Sequence, residues 1–180
     1  MQAVSAERYV IDGLVATVAN DHSTFIGEMK PNAVLKNIGF TNVEMSGITF
    51  LTRTTNGTLQ NIYVQYKKIN VASGQTVLAR ENATVENMFV DASAAEITNG
   101  SSYGILGSRH AQEKSYCIYG IVPSGFNSYV DHGTNGCGHG FATYALLKAD
   151  GNAWNAVEAY ATACEYWQIN TETGVVKFGK

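Results

Sequence analysis

Three copies of one phrase decide the fold of this chain: Leu35-Lys-Asn-Ile-Gly-Phe40, Leu59-Gln-Asn-Ile-Tyr-Val64 and Val85-Glu-Asn-Met-Phe-Val90. An asparagine occupies the third position of every copy, at successive spacings of 24 and 26 residues. A repeat of this length is typical of stacked supersecondary units, in which each unit packs on its neighbours. The repeat therefore predicts the architecture before any other residue is considered.

A second phrase precedes each copy of the first and keeps step with it. Its members are Thr24-Phe-Ile-Gly27, Thr49-Phe-Leu-Thr52, Thr76-Val-Leu-Ala79 and Gly104-Ile-Leu-Gly107. The fourth member predicts a fourth asparagine-type phrase, and Ser115-Tyr-Cys-Ile-Tyr-Gly120 matches it with Cys117 in the asparagine slot. Each unit then holds two short apolar strands separated by turn residues, without the 3.6-residue periodicity of a helix.

A unit of two short strands and about 25 residues suits one coil of a parallel β-helix, whose coils stack about 4.8 Å apart. Equivalent residues then form ladders, so we expect Phe40, Val64 and Val90 in one interior column. The asparagines are expected to form a hydrogen-bonded ladder at a bend, which removes them from the functional candidates.

Residues 124–180 differ from the repeats and predict a closing segment. We expect an irregular cap that contains a short helix within residues 153–164, preceded by a turn and cap at Asp150-Gly-Asn152. A final strand is expected at Gly174-Val-Val-Lys-Phe178. Aromatic residues concentrate in this half, and core or cap packing is their commoner use, although aromatic rings also stack on sugars.

Composition excludes several classes of function. The 180 residues carry 12 Lys and Arg against 15 Asp and Glu, and the net charge of −3 gives no electrostatic reason to expect a nucleic-acid partner. No apolar run approaches the roughly 18 residues that cross a bilayer. Residues 1–6 lack a basic segment followed by an apolar one, so we expect no signal peptide here and favour a piece of a larger protein.

The two phrases in register resemble the coils of right-handed parallel β-helices, the pectate-lyase-like superfamily. More narrowly, Leu-Lys-Asn-Ile-Gly-Phe-Thr-Asn-Val and Gly-Thr-Leu-Gln-Asn-Ile-Tyr-Val resemble repeat segments of large bacterial surface proteins that carry the GLUG motif. The resemblance covers about residues 9–123. It implies an all-β, right-handed, single-stranded parallel β-helix of about four or five coils over residues 1–123, with residues 124–180 packed on the same domain.

The resemblance also implies a function. It predicts a non-catalytic structural or adhesive module of a secreted or cell-surface bacterial protein, with a glycan or a host surface as partner and no cofactor. We expect a monomer or part of a larger multidomain chain. One alternative is a polysaccharide lyase or glycoside hydrolase with a lateral groove, although the chain has no Asp-Asp pair and no predicted carboxylate pair at catalytic spacing. The second alternative is a trimeric phage tail-fibre or receptor-binding segment.

A charged column is predicted beside the second phrase. The phrase alignment places Glu28, Arg53 and Arg80 on one outer stripe, with Ser108 and Arg109 one coil further on. Neighbouring arginines suit an anion or an acidic sugar, so Arg53 and Arg80 are candidate ligand-binding residues. A solvated stripe that discourages lateral aggregation is the competing explanation.

A glycine-rich segment between residues 129 and 140 holds the reactive side chains His132, Cys137 and His139. Histidine and cysteine are the ligands that zinc prefers, so these three are candidate metal ligands, and Cys164 or Asp131 could join them. The spacing matches no usual zinc motif, and we expect a glycine-rich loop without metal. Cys117 is expected in the core, while pairing of Cys137 with Cys164 stays open.

Overall fold

The computed structural model of this protein is mostly β, with two parallel sheets and a small helical tail. It describes residues 9–17, 25–47, 52–55, 57–71, 79–81, 84–99, 108–110, 116–125, 136–163 and 167–178.

The larger sheet has eight strands, and every pairing described in it is parallel. Its strands are β1 (Tyr9–Asp12), β2 (Val15–Thr17), β4 (Val34–Gly47), β6 (Thr58–Val71), β8 (Thr84–Asp91), β9 (Glu96–Asn99), β11 (Tyr116–Ile121) and β12 (Gly136–Phe141). The central order is β1-β4-β6-β8-β11-β12, while β2 pairs with β4 and β9 pairs with β6.

The smaller parallel sheet has the order β10-β7-β5-β3. Its strands are β3 (Ile26–Met29), β5 (Thr52–Thr55), β7 (Ala79–Glu81) and β10 (Ser108–His110). Along the chain each of these strands is followed by one of the long repeat strands β4, β6, β8 and β11. Each repeat unit therefore gives one strand to the smaller sheet and at least one to the larger sheet, which confirms a mostly β, parallel architecture.

The three repeated asparagines form the predicted ladder. The Nδ2 of Asn61 donates to Oδ1 of Asn37 at 2.9 Å, and the Nδ2 of Asn87 donates to Oδ1 of Asn61 at 2.9 Å. All three have left-handed backbone conformations, with φ of 59°, 54° and 55°. Asparagine tolerates this region better than other residues with a Cβ. The slot thus combines a bend of the chain with a continuous side-chain hydrogen-bond chain.

The fourth copy of the phrase departs from this pattern. Ile118 pairs with Met88 as the alignment predicts, but Tyr116 pairs with Val85. Between these two pairs β11 has one residue, Cys117, whereas β8 has two residues, Glu86 and Asn87. Cys117 does precede Ile118 as the asparagines precede their apolar neighbours, but the extra residue that makes the bend is missing from this strand.

The principal core lies beneath the repeat strands. Phe40, Val64 and Val90 are in register and have no exposed surface, which confirms the predicted interior column. Ile62 and Met88 pack in the same cluster, and Ile26 of β3 contacts it from the smaller sheet. Because side chains alternate along a strand, the residues between these positions face outward.

A second core covers the outward face. In-register pairing aligns Gly39, Tyr63, Phe89, Tyr119 and His139 on five adjacent strands, and we call these five residues the outer column. The buried Tyr63, Phe89 and Tyr119 pack against Leu147, Ala153, Val157, Trp167 and Val176 of the tail. The rings of Tyr63 and Phe89 stack with centroids 6.1 Å apart. Trp154, Tyr160 and Trp167 of the tail belong to this second core, which confirms the expected core packing for these three aromatic residues.

The tail is more regular than predicted. It contains α1 (Tyr144–Ala149), α2 (Gly151–Ala163) and an antiparallel hairpin of β13 (Trp167–Ile169) and β14 (Val176–Phe178). The expectation of an irregular segment with one short helix was wrong in this respect. Asp150 is the predicted cap, since its Oδ1 accepts from the backbone N of Ala153 at 3.0 Å. The predicted final strand is confirmed as β14.

Glycine at position 39 makes room for the tail. A Cβ on Gly39 would lie 2.2 Å from Cδ1 of Phe178, far inside van der Waals contact. The Phe178 ring instead stacks with Tyr63 at a centroid distance of 6.1 Å. Phe178 therefore fills the place that a side chain of the outer column would otherwise occupy over β4.

Replacing Asn61 by Ala should destabilise the fold by about 2–4 kcal/mol, because two hydrogen bonds are lost and a Cβ remains in the left-handed region. Asn61→Gly should cost about 1–2 kcal/mol, since glycine removes the conformational penalty but not the hydrogen-bond loss. Urea unfolding of both variants measures the difference. Equal losses would show that backbone conformation does not contribute at this bend.

Replacing Gly39 by Ala should cost about 1–3 kcal/mol because the Phe178 ring must move. A double-mutant cycle with Phe178→Ala tests the cause: the paired variant should lose less free energy of unfolding than the sum of the single variants. Additive losses in urea unfolding would contradict the steric explanation.

Candidate functional site

A groove of about 300 Å³ crosses the second half of the long strands on their outward face. It is lined by residues of β2, β4 and β6: Val15, Ala16, Thr17, Glu44, Met45, Ser46, Lys68 and Asn70. Alternation explains its composition, since Met45 and Ile69 are buried in the core while their sequence neighbours face outward. We call this feature the polar groove.

Two in-register rows organise the polar groove. Thr17, Ser46 and Asn70 are aligned on β2, β4 and β6. The second row aligns Glu44 with Lys68 on the neighbouring strand and Lys68 with Glu96 on β9. Because adjacent parallel strands lie about 4.8 Å apart, each row presents polar groups at regular intervals across the sheet.

Irregular pairing adds a second lysine beside Glu44. Between Val43 and Glu44 of β4 the register shifts, so Lys67 is an extra residue in β6. Its Nζ forms a 2.5 Å ion pair with Oε1 of Glu44. The hydrogen bond from Lys67 is the largest cause of a lowered pKa of Glu44, followed by the charges of Lys67 and Lys68. The same bond raises the pKa of Lys67.

The charges at this face balance. Lys68 Nζ lies 3.6 Å from Oε1 of Glu96, so two lysines accompany the two carboxylates. Of the described residues that line the polar groove, Glu44 is the one carboxylate. A general acid needs a raised pKa to hold its proton near neutral pH, whereas the pKa of Glu44 is lowered. The arrangement therefore suits hydrogen bonding to a ligand better than proton transfer.

The predicted arginine stripe is right in one part and wrong in another. Thr52 pairs with Ala79 and Thr54 with Glu81, so Arg53 and Arg80 share a register position. Glu28 pairs with Thr54 instead, one position from Arg53. It forms an ion pair of 2.7 Å with Lys30. The prediction that Glu28 stacks with the arginines was wrong.

The corrected register brings a third arginine to this position. Ser108 pairs with Ala79 and His110 with Glu81, which places Arg109 opposite Arg80. On β3 the same position is occupied by Gly27, whose missing Cβ would point into open space. Ligand binding by Arg53 and Arg80 stays a prediction.

The candidate zinc ligands are only partly described. Cys137 and His139 lie two residues apart on β12, while His132, Asp131 and Cys164 lie outside the described residues. The exposed His139 ring stacks on Tyr119 with centroids 5.6 Å apart. Within the described ranges no group of three His, Cys, Asp or Glu residues could hold a metal ion. The expected glycine-rich loop was wrong for residues 136–140, which belong to β12, and zinc binding by the three candidate ligands stays untested.

The sequence did not identify Asp91 as a buried carboxylate. Asp91, at the end of β8, is only 6% exposed. Its Oδ2 accepts a hydrogen bond of 2.8 Å from the Tyr144 hydroxyl, and its Oδ1 accepts one of 2.9 Å from the backbone N of Ser93. Burial raises the pKa of Tyr63 and of Tyr144, and the charge of Asp91 raises both further. This buried cluster joins the repeats to the tail.

A second cleft, of about 410 Å³, lies on the terminal hairpin. It is lined by Gln168, Ile169, Asn170, Thr173, Val175 and Lys177. The Oδ1 of Asn170 accepts hydrogen bonds from the backbone N of Glu172 and of Thr173, both 2.9 Å long. Its carboxamide oxygen therefore already holds the turn, which makes this cleft the weaker candidate.

Neither a protein-family model, nor a curated protein, nor a solved structure matches this chain. The resemblance to pectate-lyase-like and GLUG-type repeats rests on the repeated phrases and stays a prediction. Among the described residues, no helix is both long and apolar enough to span a membrane.

The buried tyrosines predict a loss of stability at alkaline pH. Burial raises the pKa of Tyr160 to about 12, and raises that of Tyr63 and Tyr144 further. The unfolded chain releases its tyrosine protons above about pH 10, and the folded protein retains them. The stabilisation is therefore complete below pH 10 and falls above it, by about 1.4 kcal/mol per pH unit for each of Tyr63 and Tyr144 and by less for the more exposed Tyr160.

Urea unfolding at about pH 8 and pH 11 measures this dependence. Tyr63→Phe should lose less stability between the two pH values than the unchanged protein, because one titrating group is removed. Tyr9→Phe, at a site that is 55% exposed, is the matched control and should leave the dependence unaltered. An identical pH dependence in all three proteins would contradict the assignment to buried tyrosine.

Proposed function

We propose that the two parallel sheets are faces of a right-handed single-stranded parallel β-helix of four to five coils. The support is the alternation along the chain, in which β3, β5, β7 and β10 of one sheet each precede a strand of the other. Successive units pair in register in both sheets, for example Ile38 with Ile62 and Thr52 with Ala79. One turn of a solenoid per repeat accounts for both sets of pairings.

The function that this site supports best is non-catalytic glycan binding, as a structural or adhesive module of a secreted or surface-attached bacterial protein. The polar groove carries the proposal. Its rows present hydroxyl, amide, ammonium and carboxylate groups across three adjacent strands. A sugar chain is rich in both donors and acceptors, so a neutral surface with both kinds of group is complementary to it.

The electrostatics favour a neutral or weakly charged glycan at the polar groove. Glu44 is neutralised by Lys67, and Lys68 lies between Glu44 and Glu96. An acidic sugar would have to compete with these carboxylates for the lysines, at a cost from like charges. The volume of about 300 Å³ is at the lower end for ligand sites, which suits a short segment of a chain.

The rival enzymatic function lacks support at this groove. Glycoside hydrolysis needs two carboxyl groups that flank the scissile bond, one of them protonated. Glu44 is accompanied there by Lys68, and the pKa of Glu44 is lowered rather than raised. These observations favour binding over hydrolysis.

Glycan binding is tested with a panel of neutral and acidic oligosaccharides, measured by calorimetry or by NMR titration. Ser46→Tyr places a ring in the polar groove and should weaken binding of a neutral ligand by about 10-fold or more. Arg80→Gln is the control at the separate arginine position and should leave that affinity unchanged. Loss of binding in Arg80→Gln alone, restricted to acidic ligands, would move the site to the arginines and contradict the polar groove.

The same samples test for an enzyme and for a phage tail-fibre segment. Chain shortening of a bound oligosaccharide, followed by chromatography over hours, would contradict the non-catalytic assignment. Light scattering should give the 19.4 kDa mass of one chain. A trimer would favour the tail-fibre function instead.

A further inference from the structure

Two of the three cysteines are brought to the same register position. Strands β11 and β12 pair in parallel over six consecutive residues, and Cys117 is opposite Cys137. The sequence separates these residues by a long connection, so only the strand pairing places them side by side. The sequence left open whether Cys137 pairs with Cys164, the residue that follows Ala163 at the end of α2.

The spacing of paired strands suits a disulfide. Neighbouring strands lie about 4.7–4.9 Å apart, and disulfides join Cα atoms that are about 4.4–6.8 Å apart. In-register positions of a parallel pair are on the same face of the sheet. Strand alternation assigns both cysteine positions to the face that bears Tyr119 and His139, which are two residues further along their strands.

We propose that Cys117 and Cys137 form a disulfide when the protein meets a small-molecule disulfide such as glutathione disulfide. One protein thiolate attacks the oxidant and displaces one glutathione as its thiolate, which leaves a mixed disulfide. The second protein thiolate then attacks the protein sulfur and displaces the other glutathione. The two protein thiols lose two electrons and two protons, which convert glutathione disulfide to two glutathione molecules.

The bond would secure the last strand of the large sheet. In the order of that sheet β12 is terminal and pairs with β11. A cross-link from Cys117 to Cys137 restricts the unfolded chain by closing the segment between them. The oxidised protein should therefore have a higher thermal midpoint than the reduced protein.

Tryptic mapping tests the pairing directly. Cleavage after Lys114 and Lys148 leaves Cys117 and Cys137 together in the peptide 115–148, and Cys164 in the peptide 149–177. After treatment with glutathione disulfide, peptide 115–148 should be lighter by two hydrogen atoms and should resist alkylation until reduced. Full alkylation of this peptide, or its cross-linking to peptide 149–177, would overturn the proposal.

Single substitutions provide the matched controls. Cys164→Ser should retain both the mass change in peptide 115–148 and the rise in thermal midpoint on oxidation. Cys117→Ser should lose both. Because each variant is compared with its own reduced form, a general loss of stability does not affect the result. An undiminished rise in the midpoint of oxidised Cys117→Ser would also overturn the proposal.

Discussion

The hydrogen-bond chain through Asn37, Asn61 and Asn87 is the constraint on which the other features of the structure depend. Each asparagine has a left-handed backbone conformation at a bend of the chain. The carboxamide of Asn61 donates one hydrogen bond and accepts another, both 2.9 Å long. A slip of one residue between strands would break these bonds and move every outward side chain to the interior. The ladder thus fixes the register of β4, β6 and β8, and the register fixes the rest.

The residues after the asparagine show this dependence. Within Ile62-Tyr-Val64, Ile62 and Val64 enter the first core, while Tyr63 enters the second. Three residues therefore connect the repeat interior to the tail. Gly39 is the exception in the outer column, and the position left open by its missing side chain is filled by Phe178. Beyond the register shifts the alternation resumes, so Glu44 and Ser46, on either side of the buried Met45, line the polar groove.

The sequence was sufficient for the features that repeat. The parallel strands that carry the phrases, the asparagine ladder, the interior column and the shared register of Arg53 and Arg80 follow from aligning the phrases. The parallel strand β12 does not, since it lies where a glycine-rich loop was expected. Glu28 was misplaced because the short apolar phrases of the smaller sheet can be aligned one residue apart without changing their apolar character. The structure pairs Ile26 with Thr52, where the alignment pairs Gly27 with Thr52.

Features formed between distant or irregular segments could not be predicted in this way. The burial of Asp91 depends on Tyr144, 53 residues further along the chain. The second lysine beside Glu44 depends on a register shift that the repeat itself does not contain. The two helices of the tail cover the outer column because its aromatic rings are apolar, but the repeats give no sign of which face will be covered.

The register also bears on chemistry. Adjacent strands of a parallel sheet lie about 4.8 Å apart, so the nearest neighbours of a carboxylate are the residues of the same row on those strands. Neighbouring carboxylates or apolar side chains in the row would raise the pKa of a carboxyl group, which suits it to act as a general acid. Glu44 instead has Lys68 in its row and Lys67 beside it, and its pKa is lowered. The row that contains Glu44 is therefore charge-balanced, with Lys68 on the adjacent strand and Lys67 in an ion pair with Glu44.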